Sequence, residues 1–349
     1  MPMRHLSGGA LVAAFTTMLL PACADPVRPT ESLEVGREDQ PPQFTARTRL
    51  TLDGTRFRLN GGLTYPGQPA QGMLLNVRMV NSVFQDDGKR DFDPEKNTAE
   101  FVGKMPDYVT HGARAFTISL QGGYPGYNGA RNSAFRSDGT LEPAYLARVA
   151  RVIERADALG AVIILSLFYQ RQDQVLRNEQ AVRTGVIKAV DWVKQKGYRN
   201  IILEIANEYG HPGFDHAVLR SDAGVADLIR LAQGRLPSLP VSASTQGTAR
   251  TTPRVAAASD LILVHFNQLA TSAIPSRVRD LRSANRNKPI VCNEDGRTGS
   301  AAVAALLASV QAGASYGLLV ERINQRYPFY FRGRSDDAAT YDKYKTLAY

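Results

Sequence analysis

Asn200-Ile-Ile-Leu-Glu-Ile-Ala-Asn-Glu208 and Lys288-Pro-Ile-Val-Cys-Asn-Glu294 are two short runs built alike: each climbs through apolar, β-rich residues and finishes on Asn-Glu. A strand that is apolar on both faces belongs to a parallel sheet covered on both sides, and its polar residues then fall at the carboxyl edge. In α/β barrels that edge carries the chemistry, because the loops above it are free to vary over a rigid strand core. Two glutamates delivered in this way are placed to face each other across a barrel mouth.

Outward from these runs the chain repeats one unit. Arg49–Gly61 alternates apolar and polar residues around Asp53-Gly54, a hairpin signal, and is expected to plug the amino-terminal end of the barrel. Eight strand-like runs follow: 73–84, 113–120, 161–168, 200–206, 240–244, 261–266, 289–292 and 316–320. Helical spacing of apolar residues lies between them at 145–159 (stopping at Gly160), 181–196, 224–234, 277–286 and 301–313. Repeated strand-then-helix units of this number predict an α/β protein, a closed (β/α)8 TIM barrel preceded by a β-hairpin. A dinucleotide-binding sheet would need a Gly-x-Gly-x-x-Gly turn after its first strand, which this chain lacks.

With the two Asn-Glu strand ends placed, the chain resembles the retaining (β/α)8 glycoside hydrolases of the cellulase-like and mannanase-like superfamily, including those of glycoside hydrolase family 5. The likeness in layout covers residues 50 to 335, and only the two strand ends match closely. The resemblance implies Glu208 as acid/base at the end of the fourth strand and Glu294 as nucleophile at the end of the seventh. It implies Asn207 as a hydrogen-bond partner of the sugar 2-hydroxyl. Spacing alone leaves Asp295 as a competitor for Glu294. A strand-end acid in a partly desolvated pocket is expected to have a raised pKa, so Glu208 should arrive protonated. Glu204 shares the parity of Glu208 and is expected deeper in the barrel, paired with a basic group.

Further candidates follow from the other strand ends. The sixth ends Val264-His265-Phe266-Asn267, where relatives carry a His followed by a Tyr; His265 fits and Asn267 replaces the Tyr as donor to the nucleophile. The third ends Phe168-Tyr169-Gln170-Arg171-Gln172 without the His of many relatives, and the second, Ser119–Gly123, has no Arg at its top. Arg78 on the first strand is the candidate for the missing guanidinium. Tyr169 and Glu321 complete the substrate-binding candidates. Tyr124, Tyr127, Tyr209, Tyr327 and Tyr330 are further rings for a sugar rim, whereas Trp192, the one tryptophan, sits in a helical pattern and reads as outer-helix packing. No cofactor and no metal is expected: His211 and His216 flank Asp215 on a Pro/Gly loop without a His-x-His strand motif. Two other readings stay open, a catalytically silent glycan-binding barrel of the cell envelope and a metal-dependent barrel hydrolase.

The 349 residues carry a formal net charge of +9, with 43% hydrophobic and 21% charged residues. That composition is ordinary for a globular protein. The basic residues, such as Arg277, Arg279, Arg282 and Arg286, lack interleaved aromatics, so no nucleic-acid partner is expected; the partner is an oligosaccharide or glycoside. Arg4 and His5 precede an apolar run, Gly9–Leu20, too short for a membrane span, and Leu20-Pro21-Ala22-Cys23 resembles a bacterial lipobox. Residues 1–22 are therefore expected to be a signal peptide, Cys23 a lipidated first residue and 23–45 a flexible tether. Residues 46–349 then form one catalytic domain of an exported envelope lipoprotein, touching the membrane through the lipid alone. Cys292 is the other thiol and reads as a small buried strand residue.

Overall fold

The computed structural model describes residues 13–14, 44–86, 88, 91–122 and 131–349. Cys23, the lipobox, the tether through Gln43, Tyr124 and Tyr127 lie outside the described residues. Residues 44–349 form one compact unit.

The amino-terminal hairpin pairs β1 (Leu50–Asp53) antiparallel with β2 (Arg56–Leu59), and β3 (Gly62–Leu63) adds a third short strand. The reversal falls at Gly54, whose φ of 59° is a conformation that a side chain disfavours. Eight parallel strands follow: β4 (Asn76–Arg78), β5 (Ala115–Ser119), β6 (Val162–Phe168), β7 (Ile201–Ala206), β8 (Val241–Ser242), β9 (Ile262–His265), β10 (Ile290–Glu294) and β11 (Gly317–Leu318). Ladders join them in the order β11-β4-β5-β6-β7-β8, with β10 beside β9. Bridges at Val291–Ser315 and Asp295–Leu318 carry β10 onto β11. Where β8 meets β9 no ladder forms among the described residues. Single bonds link them instead: Asp260 N–H to Val241 O (2.9 Å) and Ser242 Oγ to Leu261 O (2.7 Å).

Helices α1 (Pro94–Thr110), α2 (Pro143–Ala158), α3 (Glu179–Lys196), α4 (Ala217–Arg220), α5 (Asp222–Arg235), α6 (Pro253–Ala258), α7 (Ile274–Ala284), α8 (Gly299–Gln311) and α9 (Ala338–Ala348) cover the strands. Local chemistry sets their ends. Asp93 accepts from the N–H groups of Glu95 and Lys96 ahead of Pro94, and Gly197, at φ 72°, closes α3 in the left-handed conformation. The long apolar run at 73–84 gives only three strand residues. Past Met79 it coils into a 3-10 turn, Val80–Val83, because Asn97 and Thr98 of α1 take the Asn81 and Ser82 carbonyls. The runs at 240–244 and 316–320 shorten in the same way, to two strand residues each.

Between the strands and the hairpin the lowest layer is apolar. Leu74, Ala115, Val162, Ile164, Ile202, Leu261, Leu263 and Val291 pack with Leu50 and Phe57 of the hairpin. Leu50 N–H also donates to Arg199 O, just before β7 (2.8 Å). The hairpin therefore seals the amino-terminal end, as its alternation predicts, and leaves the carboxyl edge for polar side chains. Phe57 is 1% exposed in this plug. Phe57→Ala is expected to lower stability by about 3–5 kcal/mol in urea unfolding, and a loss below about 1 kcal/mol would show that the plug is dispensable.

Candidate active site

Above the apolar layer the inward positions turn polar, and they converge on one cation. Arg78, the last residue of β4, is wholly buried. Its Nε lies 2.6 Å from Glu294 Oε2 and its Nη2 donates to Asn207 Oδ1 at 2.6 Å. The Nε approach is off the N–H axis, so the contact with Glu294 is an ion pair rather than an aligned hydrogen bond. Burial alone would push the guanidinium pKa down; the fields of Glu294, Glu204, Tyr169 and Glu208 outweigh it and hold the value up.

Both glutamates reach this cation through a break in strand regularity. On β10, Val291 and Asn293 face inward, so alternation would turn Glu294 outward. A bulge between Cys292 and Glu294 sets Glu294 opposite His265 and returns it to the axis. Asn293 remains inward and donates to Glu204 Oε1 at 3.1 Å. Asp295 is instead buried against Arg297 (2.7 Å) and bonds through its backbone to Gly317. On the other side Glu208 follows β7 in the left-handed conformation, φ 50°, which costs a non-glycine residue about 1–2 kcal/mol. Its N–H donates to Ser244 Oγ at 3.0 Å, which helps hold the turn.

His265 joins the two acids. Its Nδ1 is 3.2 Å from Glu208 Oε1 and 3.7 Å from Glu294 Oε2, and one atom from each of the three residues lies within 4.8 Å of the others. Asn267, in the position where relatives carry Tyr, donates to Glu294 Oε1 at 2.6 Å and accepts from Gly296 N–H. Gln170, which the sequence reading passed over, fills the gap at the end of the third barrel strand. It donates to Glu208 Oε2 (3.1 Å) and accepts from Asn207 Nδ2 (3.0 Å). Its signal was an amide where the family pattern has a His, and only the fold shows that the amide bridges the Asn-Glu pair.

The protonation of Glu208 differs from expectation. Burial raises its pKa, but the bond from His265 and the fields of His265, Arg78 and His211 bring the net value below the usual carboxylate range. For His265, burial lowers the value while Glu294 and Glu208 raise it, and the acids win. Its Nε2 has no partner among the described residues, so the cation is supported from the carboxylate side alone. The two shifts run in opposite senses, the imidazole up and the Glu208 carboxyl down, as expected of a histidine lying against two carboxylates.

The remaining candidates separate. Tyr169 is 4% exposed and close enough to Arg78 to contribute to its field. Tyr209 is also buried, its hydroxyl accepting from Thr252 N–H. Tyr327 and Tyr330 are exposed. Glu321 pairs with Arg326 at 2.7 Å on a half-exposed turn and has no contact with the acid cluster among the described residues. Glu204 lies deeper on the axis as expected, but its hydrogen-bond partner is the Asn293 amide. His216 is clipped to Asp173 (2.8 Å), which also takes the N–H groups of Asp215 and His216, a loop brace. Glu208, His265 and Glu294 could in principle ligate a cation. Arg78, at 2.6 Å from Glu294, already supplies the positive charge there. Burial pushes the Cys292 thiol well above its usual value, which leaves it unreactive. Trp192 stacks edge-on against Tyr198 on the outer face of α3.

No protein-family model and no curated protein sequence matches the chain. Solved structures do. An endo-1,4-β-mannanase from Eisenia fetida matches 86% of this chain and 95% of its own at 13% identity and TM-score 0.54. A glycoside hydrolase family 5 enzyme from Prevotella bryantii matches 85% of this chain and 99% of its own at 9% identity and TM-score 0.56. A Bacteroides vulgatus protein assigned to the glycoside hydrolases gives TM-score 0.61 at 13% identity over 86% of this chain, which spans only 60% of that longer protein. At these identities the likeness is one of fold.

The coupling of His265 to the acids has a direct readout. Its imidazole NMR resonances are expected to titrate above the usual histidine value of 6.5, and Glu208→Gln should bring the midpoint down. With a folded value above the unfolded one, His265 stabilises the fold below about pH 6.5, and that contribution is lost as pH rises through the folded value. A wild-type midpoint below 6.5 would mean that burial outweighs the carboxylates.

Proposed function

We propose that this protein is a retaining glycoside hydrolase that cleaves O-glycosidic bonds by double displacement, with Glu294 as nucleophile and Glu208 as acid/base. The observation that carries the reading is the approach of the two carboxylates, whose donor atoms lie within 4.8 Å of each other across His265. Retaining enzymes hold their carboxyl groups about 5–5.5 Å apart, whereas inverting enzymes leave about 6.5–9.5 Å for a water. The frame we infer is a closed eight-stranded barrel whose β8–β9 seam is held by the Asp260 and Ser242 bonds. The fold likeness to a mannanase and to a family 5 enzyme supports the reaction class and leaves the sugar open.

The arrangement divides the work. Arg78 and Asn267 hold the Glu294 carboxylate in place and aimed, so that it attacks the anomeric carbon. The leaving oxygen needs a proton, and His265 Nδ1, 3.2 Å from Glu208 Oε1, is placed to hand one on. As the glycosidic oxygen approaches, the proton passes through Glu208 to it. Glu208 then takes a proton from the incoming water in the second step, and Glu294 is released. Asn207, held by Arg78 and Gln170, is the partner for a sugar hydroxyl. The depressed pKa of Glu208 also suits a second reading, a silent barrel that binds glycans. We further propose that the chain is exported and lipidated at Cys23. Intact-mass measurement of the membrane fraction should then show loss of residues 1–22 and added acyl groups, and an unmodified thiol at another mature start would refute it.

On a panel of activated aryl glycosides Glu294→Ala is expected to abolish turnover. Glu208→Ala should give a burst followed by slow release, because glycosylation of a good leaving group needs little acid but deglycosylation needs the base. Added azide should accelerate that variant and yield a glycosyl azide of retained configuration. Near-normal turnover by Glu294→Ala would overturn the role assignment. Glycan binding by the wild type with no hydrolysis of any panel member would favour the silent barrel.

A further inference from the structure

On the outer wall of the barrel α6 is only six residues long beside the eleven of α7. At 1.5 Å per residue it covers about 9 Å where its neighbour covers about 16 Å. The shortfall leaves a furrow of about 720 Å3 between the two helices. It runs from the loop after β8, at the mouth, to the residues just before β10, at the amino-terminal end. Its floor is made of small or buried apolar side chains, Ala256, Ala257, Leu281 and Ala284.

The rims are cationic. Arg250, Arg277, Arg286 and Lys288 line the furrow against one acid, Asp280. Arg277 donates to the Thr248 and Ala249 carbonyls, and Lys288 to those of Ala256, Ala257 and Ser259 at the end of α6. These bonds fix the two charges in place without neutralising them. Arg250 and Arg286 are exposed, one at each end, and among the described residues no carboxylate lies within ion-pair distance of any of the four. Thr251 and Asn287 also line the furrow, the Thr251 hydroxyl lying 3.4 Å from that of Tyr209.

We propose that this furrow binds an extended acidic polysaccharide, with uronate carboxylates on the guanidinium groups and sugar hydroxyls on Thr251 and Asn287. Its chemistry separates that partner from other polyanions. A membrane surface is met by apolar side chains that insert beside the cations, and the exposed large hydrophobic residues among those described, Val175, Tyr327, Tyr330 and Tyr349, all lie elsewhere. Single-stranded nucleic acid needs aromatic faces for its bases, and the furrow has none. An extended, hydroxyl-rich chain with a regular carboxylate uses what is present. The upper end leads to the mouth: Thr252 N–H donates to the hydroxyl of Tyr209, the residue after Glu208. The binding proposal stands independently of what the mouth catalyses.

The test is equilibrium binding of polygalacturonate oligomers to the full protein by calorimetry. Wild type should bind at ~20 mM salt and lose affinity as salt shortens the Debye length. Arg250→Glu with Arg286→Glu should weaken binding by about tenfold or more, roughly 1.4 kcal/mol per factor of ten. Lys104→Glu with Lys188→Glu removes the same four charge units from exposed positions on other helices, taking +9 to +5 in both cases (9 − 4), and should leave binding within about threefold of wild type. Circular dichroism checks that each variant folds, and Arg250→Gln with Arg286→Gln replaces the reversal if it does not. No wild-type binding, equal losses in the two double variants, or unchanged binding after reversal at 250 and 286 would overturn the proposal. So would capture by anionic vesicles or oligothymidylate in preference to polygalacturonate.

Discussion

A guanidinium with no solvent exposure sits above the apolar layer, and the polar side chains of the site gather around its charge. Bringing Arg78 out of water costs several kcal/mol, which is offset only if its partners are close and fixed. Glu294 supplies the opposite charge, Asn207 the second acceptor, and Glu204 a further negative field from below. Each partner is in turn held by another group: Asn267 on Glu294, Gln170 on Asn207, Asn293 on Glu204. A change at any one leaves a buried polar group unpaired, typically at 1–3 kcal/mol. The network is therefore stiff, and stiffness keeps two carboxylates from moving apart. It also explains how the site manages without an arginine at the top of the second barrel strand, since the first strand delivers one from below.

Regular secondary structure could not have produced this geometry. Alternation along β10 sends Asn293 inward and would send Glu294 out; the bulge reverses the second of these. After β7 the left-handed turn at Glu208 does the equivalent, letting Asn207 and Glu208 both address the site. Backbone irregularity therefore falls at both acids, besides the left-handed residues Asn60, Tyr65, Arg171 and Ala249 elsewhere. The lower half, sealed by the Phe57 plug, provides stability.

Much of this was legible in the sequence for physical reasons. Strand runs apolar on both faces and helices with apolar periodicity announce covered parallel strands, so the ring order and the placement of Glu208, Glu294 and His265 at one edge follow from counting. The Asp-Gly hairpin was equally plain. Short β8 and β11 were not, because their strand pairing is cut off by tertiary contacts that a local pattern does not contain. Alternation is a poor guide to Glu294 against Asp295, since a bulge erases it, and the family pattern carried that choice. Gln170 escaped because an amide at a strand end has many ordinary uses. The direction of the Glu208 shift was misjudged because burial was weighed without the imidazole 3.2 Å away. The burial of Tyr169 and Tyr209 is likewise a tertiary property that a strand-end pattern does not carry.

The central claim is that Glu294 becomes covalently bonded to sugar. It is tested most directly by incubating the protein with activated 2-deoxy-2-fluoro glycosides, which slow the second step more than the first, and mapping the adduct by peptide mass spectrometry. A single glycosyl group is expected on Glu294, absent from Glu294→Ala and formed with the burst of leaving group. An adduct on Asp295 or Glu208, or stoichiometric turnover of a cleaved substrate with inverted product and no adduct, would contradict it.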